Sequence, residues 1–224
     1  MKLKKNGEEL MEIVPMNPNT MARLLEILKQ IKNLGEPFED YLKNVMAAKL
    51  CLGTHDLHKK GKITKSAYYI SSGFIIAYYY TKKGELRVVK ILGPGYIAAG
   101  HGFLNHKESK YNLMILKDTL VLEITYDQMQ TGYAEVPGMQ ELALLTKEDL
   151  YDEDLLLVEM LSKTGEERVT DFYRKFPMLL KLPRLIQDQY IASLLHLSIY
   201  RFQHIRSALV KSGSLPVKEE DKIS

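Results

Sequence analysis

Residues Gln187–Ser212 read QDQYIASLLHLSIYRFQHIRSALVKS and decide the architecture of the C-terminal part of the chain. Apolar residues recur there at helical spacing in two short runs, which a break at His196-Leu197-Ser198 separates. The runs consist of Tyr190, Ile191, Leu194 and Leu195, then Phe202, Ile205 and Leu209. The pattern predicts two short helices around one small core. Ser198 is the expected N-cap of the second helix, because its hydroxyl can accept a hydrogen bond from an otherwise unpaired backbone N–H.

The outer face of the second predicted helix is polar and cationic. It carries Ile199, Tyr200, Gln203, His204 and Ser207, flanked by Arg201 and Arg206 and followed by Lys211. A helix with an apolar underside and such an outer face fits the major groove of DNA. The turn position that favours a left-handed backbone is occupied by His196, where glycine would be more favourable. From this window alone, an ordinary helical hairpin inside a core is the alternative.

Composition is that of a globular chain of one or two domains, with 224 residues, 46% of them hydrophobic and 26% charged. No apolar run approaches the roughly 20 residues of a membrane helix, and no signal-type segment is evident, so we expect a cytoplasmic protein without a membrane partner. The single Cys51 excludes an intrachain disulfide and a cysteine-ligated cluster. We expect no cofactor.

Charge is distributed unevenly along the chain. Between residues 135 and 159 eight acidic residues accompany one basic residue, whereas between residues 181 and 211 five basic residues accompany one acidic residue. This asymmetry is consistent with a C-terminal module that faces a polyanion. Two solvated faces of uneven charge would give the same counts.

In the chain before this region the residue pattern changes twice, from polar to helical and then from helical to strand-like. Residues 1–16 are polar and predict a loosely ordered tail, after which Pro18 and Pro37 each open a predicted helix. From about Lys49 to Met129 short apolar runs predict an antiparallel sandwich or barrel. The strands that we predict are Ala67–Tyr80, Leu86–Leu92, Tyr111–Leu116 and Leu120–Tyr126, and the stretch at residues 81–85 is a tight-turn signal.

A long helix is predicted from Met139 to Ser162, with an apolar stripe too long to bury against a small barrel. The stripe includes Leu142, Leu145, Leu156 and Met160. A second copy of the same helix would cover it, and packing against the N-terminal helices is the alternative. Thr164 and Glu167 then form a capping-box signature that starts a small helical domain. We divide the chain into a tail with an extra helix (1–36), a β domain (37–136), the long helix (137–162), a helical domain (163–213) and a disordered tail (214–224).

This order of elements resembles the CRP/FNR family of bacterial transcription regulators. The resemblance covers about residues 41–212 and is carried by SAYYISSGFIIAYYYTKKGELRVVKILGPGYI at residues 66–97 and QYIASLLHLSIYRFQHIR at residues 189–206. It implies an α+β protein with an antiparallel, cyclic-nucleotide-binding-like β-roll of jelly-roll type. A long dimerisation helix and a C-terminal winged helix-turn-helix would follow the roll. Double-stranded DNA, a second copy of the chain and RNA polymerase are the partners it implies.

The family's nucleotide pocket carries over poorly. Its cyclic-nucleotide version has Gly-Glu, which holds the ribose, followed about ten residues later by Arg-Ser/Thr-Ala, whose arginine pairs with the phosphate. Those positions fall here on Ala99 and Gly100, and on Lys110, Tyr111 and Asn112. The ribose acceptor is therefore absent, and Lys110 lacks the planar fork of arginine. We expect no cyclic AMP binding, with an unknown effector, if any, near Ala99, Gly100, Lys110, Tyr111 and the turn at Gly84-Glu85.

The resemblance also implies roles on the second helix. Base contacts are expected from Ile199, Tyr200 and His204, through thymine methyl groups and hydrogen bonds. Phosphate contacts are expected from Ser198, Arg201, Gln203, Arg206 and Lys211.

Two other readings remain open. A degenerate β-roll acting in protein–protein interaction, without DNA reading, is the main alternative. A metal-dependent barrel enzyme would need a strand pattern of His-x-His with a downstream glutamate. The histidines present are His55, His58, His101 and His106, and their spacing does not match. We find no catalytic motif and expect no enzymatic activity.

Overall fold

The computed structural model describes residues 10–99 and 102–215, which form two compact units. The first unit contains the described residues up to Tyr79 together with Val89–Tyr151. The second contains Tyr80–Val88 and the described residues from Asp152 onward. Among the helices of these residues, none combines the length and apolarity needed to span a membrane.

Near its N-terminal end the first unit contains two helices, α1 (Pro18–Ile31) and α2 (Glu36–Val45), as predicted. The Asn17 side chain accepts a hydrogen bond from the backbone N–H of Asn19 at 2.9 Å, and Pro18 occupies the first turn. The apolar faces of both helices are buried in one core cluster with residues of the sheet. The members from α1 and α2 are Met21, Leu24, Leu25, Leu28, Phe38 and Leu42.

In the part of the chain that the structure describes, nine strands form two antiparallel sheets. Their bounds are β1 Met11–Ile13, β2 Ala47–Cys51, β3 His55–His58, β4 Ser66–Ser72, β5 Ile75–Tyr80, β6 Leu86–Leu92, β7 Ile97–Ala99, β8 Asn112–Ile115 and β9 Leu120–Thr125. The five-stranded sheet has the order β1-β2-β9-β4-β7, and the four-stranded sheet has the order β3-β8-β5-β6. The antiparallel roll is confirmed, and the predicted strand Ala67–Tyr80 is two strands separated by a turn at Gly73.

The N-terminal stretch departs from the prediction of a loose tail. β1 pairs antiparallel with β2, with Met11 opposite Cys51. Residues 1–9 of the predicted tail lie outside the described residues. The pairing was not predicted because it joins segments 40 residues apart, and a three-residue strand has too few residues to show an alternating pattern.

The backbone at Gly73 passes very close to Thr119 in the roll. Gly73 has φ +81°, and a Cβ there would lie 2.4 Å from Thr119 Oγ1. The fully buried Thr119 hydroxyl accepts a hydrogen bond from Phe74 N at 3.0 Å and donates to Phe74 O at 3.2 Å. The Thr119 hydroxyl therefore provides an acceptor for the Phe74 N–H and a second donor to the Phe74 carbonyl, which also accepts from Leu116 N at 3.0 Å.

Helix α3 (Tyr126–Glu135) follows the last strand, where the sequence reading extended the β pattern to Met129. That boundary was wrong because a capping box begins the helix there. Gln128 Oε1 accepts from Thr125 N at 2.8 Å, and Thr125 Oγ1 accepts from Gln128 N at 3.3 Å. A threonine followed three residues later by glutamine is a helix-start signal that could have been found in the sequence.

Helix α4 (Met139–Ser162) has the predicted bounds. Its first turns belong to the core of the first unit, because Leu142 is buried there with residues of α1 and α2. The assignment of Leu142 to a dimer stripe is thereby corrected, and the alternative of packing against the N-terminal helices holds for this end. Leu145 and Met160 are half-buried. Further along, large apolar side chains are exposed: Leu144, Tyr151, Leu155, Leu156 and Val158.

The second unit is mainly helical, with α5 (Gly165–Lys175), α6 (Met178–Lys181), α7 (Asp188–Leu194) and α8 (Ile199–Lys211). The predicted capping box of Thr164 and Glu167 is present. Phe172, Tyr173 and Phe202 are almost fully buried. Leu215 is also buried, so the predicted frayed tail does not begin before it. From residue 163 to residue 215 the chain forms helices, turns and loops, so these residues contain no strand pair that could form the predicted wing.

Candidate nucleic-acid interface

The turn between α7 and α8 has the geometry of a helix-turn-helix. His196 adopts φ +56°, the left-handed conformation predicted for this position. Leu197 N donates to Ala192 O at 2.9 Å, which closes the turn. Ser198 Oγ accepts from Arg201 N at 3.2 Å, so the predicted N-cap of α8 is confirmed. Ala192 is buried between the two helices, where its small side chain permits their close approach.

The three side chains expected to contact bases share the exposed face of α8. Tyr200 is 80% exposed and Ile199 is 47% exposed. The His204 ring stacks on the Tyr200 ring, with centroids 6.4 Å apart and planes 17° apart. Phe202 and Ile205 lie on the opposite, buried face. α8 therefore presents an aromatic and polar surface above a packed underside, and base contact by these residues stays a prediction.

Asp188 binds two of the side chains expected to contact phosphates. Arg206 Nη1 donates to Asp188 Oδ1 at 2.6 Å and Nη2 donates to Oδ2 at 2.8 Å, a bidentate pair. Gln203 Nε2 donates to the same Oδ2 at 2.8 Å. Arg206 also contacts Tyr173 OH at 3.3 Å and lies over the Phe202 ring at 4.9 Å from its centroid. Arg206 thus has internal partners in this structure, and its expected phosphate contact stays a prediction.

This pair is partly shielded from water. The side chains of Arg206 and Asp188 are 23% and 22% exposed. Burial favours the neutral form of Asp188, but the hydrogen bonds from Arg206 and Gln203 outweigh it and hold the pKa of the carboxyl below its ordinary value. The sequence reading missed the pair because the two residues are 18 positions apart and meet only when α7 packs on α8.

The other expected phosphate contacts are on the surface. Ser198, Arg201 and Lys211 are exposed. Neither Arg201 nor Lys211 forms an ion pair with another described residue. The Ser198 hydroxyl already serves as the cap of α8. Arg201 and Lys211 therefore remain available to a polyanion.

A hairpin tip, residues 80–88, belongs to the same compact unit as these helices. Ser193 Oγ on α7 accepts from Val88 N at 3.0 Å and donates to Leu86 O at 3.3 Å. Two of the expected effector residues, Gly84 and Glu85, lie in the exposed turn of this tip. Glu85 forms a surface ion pair with Arg87 at 2.9 Å. No sequence signal indicated the contact with α7.

The remaining expected effector residues lie in the roll. Ala99 ends β7, Lys110 is exposed and Tyr111 is half-buried, while Gly100 lies outside the described residues. The Ser109 hydroxyl donates to Tyr111 O at 2.7 Å. Tyr111 packs against an apolar cluster that includes Tyr68, Ile70 and Val121. The side chains that surround Tyr111 are therefore aromatic and aliphatic.

The described histidines of the roll do not form a metal site. His55 Nδ1 lies 2.7 Å from Gly53 O and 3.7 Å from the buried Cys51 Sγ. The His106 ring contacts the Tyr126 ring at 4.2 Å between centroids. His101 lies outside the described residues. Within residues 10–99 and 102–215, no three histidine, cysteine, aspartate or glutamate side chains are placed to hold a metal ion.

The chain is similar to known proteins in part of its sequence and in its fold. Residues 55–135 match the family model described as cyclic nucleotide-binding domain. A search of curated protein sequences finds no match. FixK2 from Bradyrhizobium japonicum is 16% identical, with 78% of this chain and 88% of that chain covered and a TM-score of 0.61.

Two further solved structures share the fold. The c-di-GMP responsive global regulator CLP from Xanthomonas campestris is 16% identical, with 82% of this chain and 96% of that chain covered and a TM-score of 0.56. A cyclic nucleotide-binding domain from Methylobacillus flagellatus KT is 14% identical, covers 67% of this chain and 86% of that chain, and has a TM-score of 0.58. The matches thus include both a cyclic nucleotide-binding domain and a protein described as a global regulator.

Proposed function

Because residues 55–135 match the cyclic nucleotide-binding domain family and the chain has the fold of CRP/FNR regulators, we propose that it is a sequence-specific DNA-binding transcription regulator. We propose further that it acts as a homodimer on an inverted repeat. The fold is that of regulators rather than of enzymes. The observation that carries the proposal is α8, which is capped at Ser198, packed on one face and exposed on the other.

The dimensions of α8 support entry into a major groove. Its 13 residues span about 20 Å at 1.5 Å per residue, and a B-DNA major groove about 12 Å wide admits a helix. Tyr200 supplies a hydroxyl and an aromatic edge, and Ile199 supplies an apolar group for a thymine methyl. Arg201 and Lys211 lie at opposite ends of the helix, where they can bind phosphates on either side of the groove.

The exposed apolar residues of α4 support the homodimer. Tyr151, Leu155, Leu156 and Val158 are each more than half exposed, and exposing so much apolar surface on one helix is unfavourable in water. A second copy of α4 is the partner that would bury this stripe with two-fold symmetry. Two copies of α8 in such a dimer would read half-sites about 34 Å apart.

The residues at the family's nucleotide-binding positions argue against a cyclic nucleotide as an effector of the roll. A cyclic nucleotide carries an anionic phosphate and a ribose hydroxyl, which call for a planar cation and a carboxylate acceptor. Gly100 and Lys110, at the positions of the family's glutamate and arginine, supply neither, and the half-buried Tyr111 is bulkier than the serine or threonine that the family has there. We therefore infer that the roll does not bind cyclic AMP.

Selection of bound fragments from random duplexes tests DNA reading. Enrichment of a palindrome is expected, and no enrichment even at low salt would favour a role in protein–protein interaction. In Tyr200→Ala, discrimination between the correct and a wrong base at the contacted position should fall by about 1–3 kcal/mol, so the selected sequence should be less specific there. Arg201→Ala should weaken all sequences alike and lower the salt slope by about 1. Lys147→Ala on α4 removes the same charge from another exposed position and serves as the control.

Sedimentation velocity of the double variant Leu155→Glu, Leu156→Glu tests the homodimer. Four carboxylates would be forced into the two-fold interface, so a monomer with weak affinity for the palindrome is expected. Lys147→Glu, on the same helix, should stay dimeric. A wild-type chain that sediments as a monomer at tens of micromolar would contradict the proposal.

A further inference from the structure

We propose that Asp188 is a specificity-determining residue of the DNA-binding unit, which it serves by holding Arg206 and Gln203 away from the duplex. The inference rests on the proposed function. Asp188 is the first residue of α7, yet both carboxylate oxygens are engaged by side chains of α8. A single acidic residue thus controls two hydrogen-bonding side chains on the helix that would enter the groove.

Gln203 is the first of these. Helical spacing places it between Ile199 and Ser207 on the outer face of α8, and its side chain is exposed. A free glutamine amide at such a position can pair with both the N6 and N7 atoms of adenine. Here its amide nitrogen donates to Asp188 Oδ2 at 2.8 Å. One of the two amide N–H groups of Gln203 is therefore engaged, and turning the amide to pair with adenine would cost the hydrogen bond to Asp188.

Arg206 is the second. Its guanidinium is held on three sides, by the two oxygens of Asp188, by Tyr173 OH and by the ring of Phe202. A free arginine is the commonest partner of guanine and also binds any phosphate. A bidentate pair that is about three-quarters buried is disrupted only at considerable cost, since each charge would need a new partner. Arg206 is therefore kept from contributing sequence-independent affinity.

Contacts with the bases are therefore left to the residues of α8 that form no hydrogen bond with Asp188. Ile199, Tyr200 and His204 have no hydrogen bond to Asp188 and lie on the exposed face. Because Asp188 neutralises a neighbouring cation, it lowers non-specific attraction to the phosphate backbone more than it lowers affinity for a matched site. Asp188 thus acts as a positioning residue for α8, without touching DNA itself.

The test compares Asp188→Ala with the wild type in binding a selected palindrome and a random duplex of equal length, across a salt series. Release of Arg206 should raise affinity for the random duplex about tenfold and steepen the salt slope by about 0.9, the value for one added phosphate contact. The ratio of specific to non-specific affinity should fall by a similar factor. Adding Arg206→Gln to Asp188→Ala should return the salt slope to its wild-type value.

Two controls separate this role from a merely structural one. Glu166→Ala removes the same charge from an exposed position of the same unit and should leave the affinity ratio unchanged. Asp188→Asn keeps the side-chain size, so it should show the same trend if Asp188→Ala fails to fold.

Equal losses of affinity for both duplexes in Asp188→Ala and Asp188→Asn would overturn the inference. An unchanged salt slope in both variants would also overturn it, while leaving the proposed function intact if the wild type still selects a palindrome. A wild type that binds no duplex would overturn the proposed function itself, and this inference with it.

Discussion

Replacing His196 by glycine should stabilise the second unit, because His196 holds a backbone conformation that favours glycine. Its φ is +56° and its side chain is exposed. A residue with a Cβ in the left-handed region costs about 1 kcal/mol, the lower end of the range since histidine tolerates it better than most. Glycine gives back about 0.5 kcal/mol through the greater freedom of the unfolded chain. The net gain is about 0.5 kcal/mol.

Thermal unfolding followed by circular dichroism at 222 nm measures this effect, since the second unit is mainly helical. For a domain of this size a gain of about 0.5 kcal/mol raises the midpoint by about 2–4 °C. His196→Ala keeps the Cβ and should not raise it. Asp118→Gly, at another residue with positive φ (+63°) in the first unit, is the matched control. DNA affinity should not change, because the turn keeps its backbone path.

A lower midpoint for His196→Gly, with His196→Ala unchanged, would refute the reasoning about backbone strain. A lower midpoint for both variants would show that the imidazole itself contributes a stabilising contact, which the exposed side chain does not indicate. In either case the cost of the missing turn glycine would have been overestimated.

Two further predictions concern the first unit. Thr119→Val removes the hydroxyl that accepts from the buried Phe74 N–H, while the Phe74 carbonyl keeps its hydrogen bond from Leu116 N. The free energy of unfolding in urea should therefore fall by about 1–3 kcal/mol. The exposed Thr131→Val is the control, and equal small changes in both would contradict the assigned role. His58 has a buried Nε2 without a partner among the described residues, and burial lowers its pKa although Asp56 opposes the shift. As the pH falls, His58 therefore binds a proton more readily in the unfolded chain than in the folded chain. The free energy of unfolding should consequently fall as the pH drops below about 6.5. His58→Gln should show a shallower loss between pH 7 and 5, and a parallel loss would mean that other groups set the pH dependence.

Local signals in the sequence predicted most of the helical unit. Ser198 and Thr164 each carry a side chain that caps the helix after it, and the apolar spacing around Phe202 reflects its full burial. Both signals act within four residues, so no knowledge of the tertiary structure was needed. The bounds of α4 followed in the same way from Pro137-Gly138 and the helical pattern after them.

Features that depend on distant contacts could not be predicted in this way. The pairing of β1 with β2 and the ion pair of Asp188 with Arg206 both join residues that only the folded chain brings together. Leu142 shows the same limit, since its spacing is equally suited to a partner copy and to the core that it occupies. Arg206 shows in addition that a polar residue expected to face solvent can form its hydrogen bonds within the folded chain.

The hydroxyl of Ser193 has a consequence for solubility. It engages the main chain at Leu86 and Val88, in a strand that stands at the margin of its sheet. Open amide and carbonyl groups on a marginal strand are templates on which another polypeptide can add a strand and begin aggregation. The Ser193 side chain thus engages two backbone groups of this edge strand that an added strand would otherwise pair with. Because Ser193 binds only backbone atoms, almost any side chain at Leu86 or Val88 would be compatible with this contact.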